Sequence, residues 1–213
     1  MNAAQIKSRS RVRDLAEVYT HEREVNAMLD LVADMFPNDD DPGNTDRMFL
    51  EPACGHGNFL VEILRRKLAY VTTRRYGKGE RFEHRMLRCV ASIYGIDICE
   101  NNVLETRERM RKVIEEHAVE LSREAREAAE AILQTNVIQA NTIADGAAIE
   151  LIEYRPESAG RFTRIWSRPL DPVGSAPSLF TPMPREDAVP VHYSKLARQN
   201  EPTAVGPLGR KAA

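Results

Sequence analysis

The chain has 213 residues, 42% of them hydrophobic and 29% charged, with a formal net charge of -2. That is enough apolar material for one core and gives no global attraction for polyphosphate, so any nucleic-acid contact has to be local. Its three cysteines, Cys54, Cys89 and Cys99, lack zinc-ligand spacing, no apolar run approaches the roughly 20 residues of a membrane span, and the polar N-terminus lacks a signal-peptide core; the expectation is a cytoplasmic protein with reduced thiols, no metal and no membrane anchor.

Along the chain, Asp14-Leu15-Ala16-Glu17-Val18-Tyr19-Thr20 leads into a stretch where Val25, Met28, Leu29 and Val32 recur at helical spacing, which predicts one helix over about 22–36. The polar run from Pro37 to Asp46 ends it. Residues 47–51 read as a short strand finishing in Glu51, followed by Pro52-Ala53-Cys54-Gly55-His56-Gly57 and a helix whose inner face is Leu60, Ile63, Leu64 and Leu68. Gly55 and Gly57 carry no Cβ, so the backbone can turn tightly and approach a ligand, and the helix that follows aims free N–H groups at it. A dinucleotide fingerprint wants a third glycine where Leu60 stands, and a P-loop wants lysine and a hydroxyl where Asn58 and Phe59 stand. Both are excluded.

A further helix is expected over about 80–91, with Phe82, Met86, Cys89 and Val90 inward, and then a strand, Ser92 to Asp97, that again ends in a carboxylate. Residues from about 101 to 133 read as helical, in one piece or two, with Met110, Val113 and Ile114 on the buried side; Val137 to Gln139 is a third strand. The βαβαβ order implies a parallel sheet with right-handed crossovers and a ligand at the strands' C-terminal ends. Asp97 at such an end either accepts hydrogen bonds from ribose hydroxyls or caps the helix after it. Residues 149–154 and 161–166 read as a hairpin closing the sheet edge, with Trp166 as a core residue. The basic residues Arg65, Arg66, Lys67, Arg74, Arg75, Lys78, Arg81 and Arg85 form either a phosphate-holding patch or a solvated helix face. Seven of the twelve prolines lie beyond residue 170, where no period is sustained. The expected division is therefore a domain over 1–170 and a Pro-rich flexible tail over 171–213.

Glu51 to Phe59 resembles the first motif of the N6-adenine DNA methyltransferases, Asp-Pro-Ala-Cys-Gly-Ser-Gly-Asn-Phe, with Glu51 in place of Asp and His56 in place of Ser. Glu17-Val18-Tyr19-Thr20 is similar to part of that family's Gly-Glu-Val-Phe-Thr-Pro-Pro segment, with His21 and Glu22 replacing the prolines. The resemblance covers residues from about 11 to 141. It implies an α/β Rossmann-like S-adenosylmethionine-dependent methyltransferase fold, a parallel central sheet flanked by helices. S-adenosylmethionine would then be held by Tyr19, Thr20, Glu51, Pro52, Ala53, Cys54, Gly55, Gly57, Asn58, Phe59, Asp97, Ile98 and Asn141, with Glu51 receiving the ammonium group. The activity it implies is methyl transfer to adenine N6 in DNA, by a modification-type subunit of a restriction-modification or phage system, with DNA and a specificity or partner subunit as partners.

In that family the fourth strand ends in Asn/Asp/Ser-Pro-Pro-Tyr/Phe, which holds and stacks the flipped base. The nearest run here is Ser167-Arg168-Pro169-Leu170, so Ser167 and Pro169 are the catalytic candidates; the stacking aromatic is missing, and Asn141 stands where the family carries an acid. The alternative expectation is a catalytically degenerate cofactor-binding module that serves as a regulatory or DNA-binding subunit.

Overall fold

The structure, a computed structural model, describes residues 20–168, 170 and 185–199. Tyr19, Pro169, and residues 171–184 and 200–213 of the expected tail lie outside the described residues.

Helix α1 (Glu22–Asp30) turns Val25 and Leu29 into the core but leaves Met28 exposed. The helix expected to run to residue 36 stops here, because a single 3-10 turn (Ala33–Met35) redirects the chain. That turn brings Phe36 onto Phe49, with ring centroids 5.0 Å apart. Next come β1 (Phe49–Glu51), α2 (Asn58–Leu68), the short α3 (Thr73–Tyr76), α4 (Glu80–Ala91), β2 (Ile93–Asp97), α5 (Glu100–His117), α6 (Arg123–Asn136) and β3 (Val137–Gln139). The three strands form a parallel sheet in the order β1-β2-β3, with Phe49 opposite Ile93 and Gly95 opposite Val137. All five residues of β2 are buried, as befits a central strand covered on both faces. The result is an α/β arrangement compatible with a Rossmann-like fold.

The long helical run divides at residues 118–122. Ser122 caps α6, its hydroxyl oxygen accepting from the Ala125 N–H at 3.1 Å, while the buried Glu83 carboxylate accepts from the Ser122 N–H at 2.7 Å and hydroxyl at 2.9 Å.

At the N-terminal end of the sheet, Lys67 in the last turn of α2 is wholly buried. Its ammonium donates to the carbonyls of Thr45 and Arg47, just before β1, and to the hydroxyl of Ser92, just before β2. Burial pulls its pKa down to about 8. Three acceptors match its three donors, so the group is satisfied without a carboxylate.

Beyond β3, the one-turn α7 (Thr142–Asp145) leads to β4 (Leu151–Pro156) and β5 (Arg161–Ser167), which pair antiparallel as the expected hairpin. It does not extend the parallel sheet. Instead β5 also pairs with β6 (Arg185–Glu186) and β7 (Val191–His192), giving a second, antiparallel sheet. The physical reason lies in the side chains of β4. Leu151 and Ile149 pack on Tyr94 and Ile96, which point to the face of β2 opposite Ile93, and the Tyr94 hydroxyl donates to the Ile152 carbonyl at 3.2 Å. The hairpin covers a face rather than an edge.

Residues 185–199 correct the expectation of a flexible tail over 171–213. Asp187 is buried against Arg164, with Nε to Oδ2 at 2.8 Å and Nη2 to Oδ1 at 3.0 Å; Val191 and Leu196 enter the core, and the Tyr193 hydroxyl donates to Glu83 at 2.6 Å. A 3-10 helix (Tyr193–Arg198) then lies against α6. A segment so short on periodicity folds because each anchor fills a separate vacancy on the domain.

Candidate functional site

The C-terminal rim of the parallel sheet is built by the loop after β1. The Cys54 N–H donates to the Ile96 carbonyl at 2.9 Å, and the Gly57 N–H to the Cys54 carbonyl at 2.9 Å, so the loop lies across the end of β2. Gly95 makes this approach possible: a Cβ there would stand 2.4 Å from Leu60 Cδ1 and 3.2 Å from Cys54 Sγ. The two loop glycines do different work. Gly57, at φ 83, starts α2, and a Cβ on it would meet Thr106 Cγ2 at 2.6 Å; it is required by packing against α5. Gly55, at φ 53, has nothing within 4 Å of a built Cβ, so its Cβ side is open and the left-handed backbone, not crowding, is what favours glycine there.

Several elements converge here. The Gly55 peptide is clamped by Asp97 Oδ2, which accepts its N–H at 2.8 Å, and by the Thr106 hydroxyl, which donates to its carbonyl at 3.1 Å. Asn58 donates to the Thr20 carbonyl at 2.8 Å and accepts from Arg109 at 2.9 Å, which brings the upstream segment to the loop. From the β3 side, the Thr142 hydroxyl donates to the Pro52 carbonyl at 2.6 Å, and the Gln139 amide to the Ile98 carbonyl at 3.2 Å. Ile98 and Ile143 are left 52% and 98% exposed beside these contacts, apolar surface standing at a polar rim.

Glu51 is the unusual charge. Its carboxylate is partly buried, accepts a single hydrogen bond from the Ala53 N–H at 3.3 Å, and has no cationic partner among the described residues; burial pushes its pKa up. Asp97 differs. Its oxygens accept from the N–H groups of Gly55 and Cys99 and from the Asn102 amide, and the residue is 8% exposed. Its hydrogen bonds tie the loop to the start of α5, but the N-cap of that helix is Cys99 and no side chain caps it, so the expected capping role is not what Asp97 fills. Asn141 is engaged as the cap of α7, its side-chain oxygen accepting from Ile143 and Ala144 at 3.1 and 3.0 Å. Phe59 packs on the core, and the buried Cys54 thiol, raised to about 12 by burial, is inert. Pro52 and Ala53 are exposed on the loop.

The catalytic candidate Ser167 lies in the second, antiparallel sheet. It ends β5, opposite Leu151 in the antiparallel ladder, and Leu170 after it packs with Tyr94, Ile96 and Ile149. Among the described residues no hydrogen bond joins Ser167 to the loop. Pro169 lies outside them. The basic cluster stands off from the loop. Arg65, Arg66 and Lys67 lie in the last turn of α2, whose first residue is at the loop, so they stand about 10–14 Å along the helix at 1.5 Å per residue. Arg66 is spent on Asp30 and Glu62, Lys67 is buried, Lys78 pairs with Glu120, and Arg81 and Arg85 lie over Tyr76.

Sequence reasoning missed Gly95, Thr106 and Arg109. A glycine inside a buried strand signals a close approach, so Gly95 was readable; Thr106 and Arg109 are single polar residues on a charged helix and carry no signal. A cleft of about 630 Å³ exists at a distance from the rim, between α5, α6, the hairpin and the last 3-10 helix, and none of the rim residues lines it. Among the described residues no group of His, Cys, Asp or Glu could hold a metal ion, and no helix is long and apolar enough to cross a membrane. No family model, curated protein or solved structure matches the chain.

Proposed function

We propose that the chain binds S-adenosylmethionine at the rim of its parallel sheet and acts as the cofactor half of an N6-adenine DNA methyltransferase whose target-holding half comes from a partner subunit. The observation that carries the reading is Glu51: a half-buried carboxylate with no cationic partner among the described residues, on the same loop as a glycine whose Cβ side is open. An α-ammonium group is the complement of such a site, because a charge-assisted hydrogen bond is strongest where water is thinned.

The cofactor, when bound, supplies an electrophilic methyl group on a sulfonium. The chain's own residues bind and orient it. Glu51 accepts from the ammonium, Gly55 admits the methionine and ribose against the backbone, and exposed Ile98 offers an apolar face for the adenine. Asp97 serves as a positioning residue, holding the Gly55 peptide and the start of α5 in place, and Thr106 holds the same peptide from the other side.

A second reading is a catalytically degenerate cofactor-binding module, regulatory or DNA-binding. It is favoured by the placement of Ser167 in an antiparallel ladder and by the use of Asn141 as a helix cap. Calorimetry with S-adenosylmethionine tests what the readings share: binding is expected, and Glu51→Gln should weaken it about tenfold or more, a loss of about 1.5–3 kcal/mol for a hydrogen bond to a charged group. Absence of heat with folded protein would overturn both. Transfer of labelled methyl to unmethylated DNA, with and without co-purified partner, separates them: label above background supports the enzyme, and background counts in every mixture leave the module.

A further inference from the structure

From Arg74 to Arg88 the chain carries six cations against two carboxylates, and one of those, Glu83, is buried under Ser122 and Tyr193. The other, Glu80, turns to His192, its Oε2 3.5 Å from the ring Nε2. Lys78 pairs with Glu120 and Arg88 with Asp46, while Arg74, Arg75, Arg81 and Arg85 have no ion pair among the described residues. Arg85 feels Asp46 at longer range and donates to the Gly43 carbonyl at 3.3 Å and the Thr45 hydroxyl at 3.0 Å, so it marks the border of the group toward the acidic loop 39–46. What holds these arginines is aromatic. Arg81 and Arg85, one turn apart on α4, lie 5.9 and 5.0 Å from the ring centroid of Tyr76, the buried last residue of α3, and Arg75 lies 5.7 Å from that of Tyr70. A ring takes a guanidinium by its face and leaves the edge N–H groups free to bond. Arg74, Arg75 and Arg81 are exposed.

We infer that the face formed by Arg74, Arg75, Arg81 and Arg85 around Tyr76 holds the phosphate backbone of duplex nucleic acid without reading its sequence. Charge complementarity is the first reason: the whole chain is slightly acidic, yet here four guanidinium groups stand together without carboxylate partners. The residue type is the second. Each is arginine, whose planar fork takes two oxygens of one phosphate, and three of the four are already laid against rings, so less freedom is lost on binding. The third is what the face lacks. None of the large exposed apolar side chains falls between residues 70 and 88, whereas a protein partner needs an apolar centre to its contact. Arg85 reaches Thr45, ahead of β1, so the face stands toward the N-terminal end of the parallel sheet, away from the rim. A backbone held there leaves the rim open, and the inference does not rest on a cofactor.

Fluorescence anisotropy of a labelled DNA duplex of arbitrary sequence, titrated with the full chain in the absence of S-adenosylmethionine, tests it. Binding is expected at low salt, with log affinity falling against log salt at a slope of about -2 to -4, the release expected from three or four phosphate contacts. Arg74→Glu with Arg75→Glu should weaken binding about tenfold or more and flatten that slope, and Arg81→Glu should weaken it severalfold. Arg23→Glu, on α1 with a side chain 89% exposed, should leave it unchanged. Three results overturn the inference: no binding at low salt, binding indifferent to the Arg74 and Arg75 substitutions, or displacement of the duplex by polyglutamate of matched charge as readily as by unlabelled duplex, since the face would then suit an acidic protein segment equally well. Because the assay holds no cofactor, its failure leaves the reading of the rim untouched.

Discussion

Each sheet rests on one buried cation, and the two are satisfied by different means. Under the parallel sheet, Lys67 is held by two carbonyls and a hydroxyl supplied within 25 residues on either side, and its pKa is pulled down because burial outweighs the attraction of nearby Asp46. In the antiparallel sheet, Arg164 meets Asp187, with side chains 3% and 0% exposed, and that carboxylate comes from a segment 23 residues further along the chain that pairs with β5. The first arrangement uses backbone groups beside the strands it joins. The second depends on one opposite charge, so it should fail more abruptly when half of it is removed.

The largest expected effect follows directly. Asp187→Asn removes the buried carboxylate that Arg164 meets and should cost about 3–5 kcal/mol in urea unfolding, while replacing both, Arg164→Met with Asp187→Leu, should restore most of it. A cost below about 1 kcal/mol for Asp187→Asn would erase the contrast between the sheets.

Gly57→Ala comes next. The left-handed backbone and the contact with Thr106 together predict a loss of about 2–4 kcal/mol. Gly55→Ala, with open space around its Cβ, should cost about 1 kcal/mol of stability from the backbone alone, yet weaken S-adenosylmethionine binding more than Gly57→Ala would in whatever fraction stays folded. Equal stability losses would show that the rim does not distinguish the two glycines.

A third test addresses the junction of the sheets, where His84 on α4 shares a hydrogen bond with the Arg161 carbonyl on β5 at 3.0 Å. Burial, aided by the Arg88 charge, lowers its pKa to about 4. The unfolded chain therefore takes up the proton first, near pH 6.5, so the stabilisation is full above that pH and is lost as the pH falls through 4. Urea midpoints measured from pH 7 to 4 should fall by the equivalent of about 2–3 kcal/mol, and His84→Gln, which keeps a donor for the carbonyl, should flatten the curve.

The parallel half was readable because its signals are periodic or positional. The stripe Leu60, Ile63, Leu64 and Leu68 marks α2, the apolar runs mark β2 and β3, and glycine marks the loop; the structure also brings Thr20 to Asn58, which adjacency of motifs alone only suggested. Other features had no such signal. A strand of two residues, such as β6 or β7, has no period, and Asp187 reads as a surface acid until its partner 23 residues upstream is known. Helix α1 ended early for a similar reason: Phe36 is drawn to Phe49, a contact invisible to spacing. At the site, the glycines were legible from the sequence, whereas the occupied oxygens of Asp97 and Asn141 depend on which N–H groups the fold delivers to them.

Lys67 has one more consequence. Because it ties Arg47, two residues before β1, to Ser92, the residue before β2, it fixes how far each strand has advanced when they begin to pair, with Phe49 abreast of Ile93. A slip of one residue would turn Glu51 to the opposite face of the sheet. The alignment of the rim is thus metered from the far end of the strands, by a side chain that never approaches it.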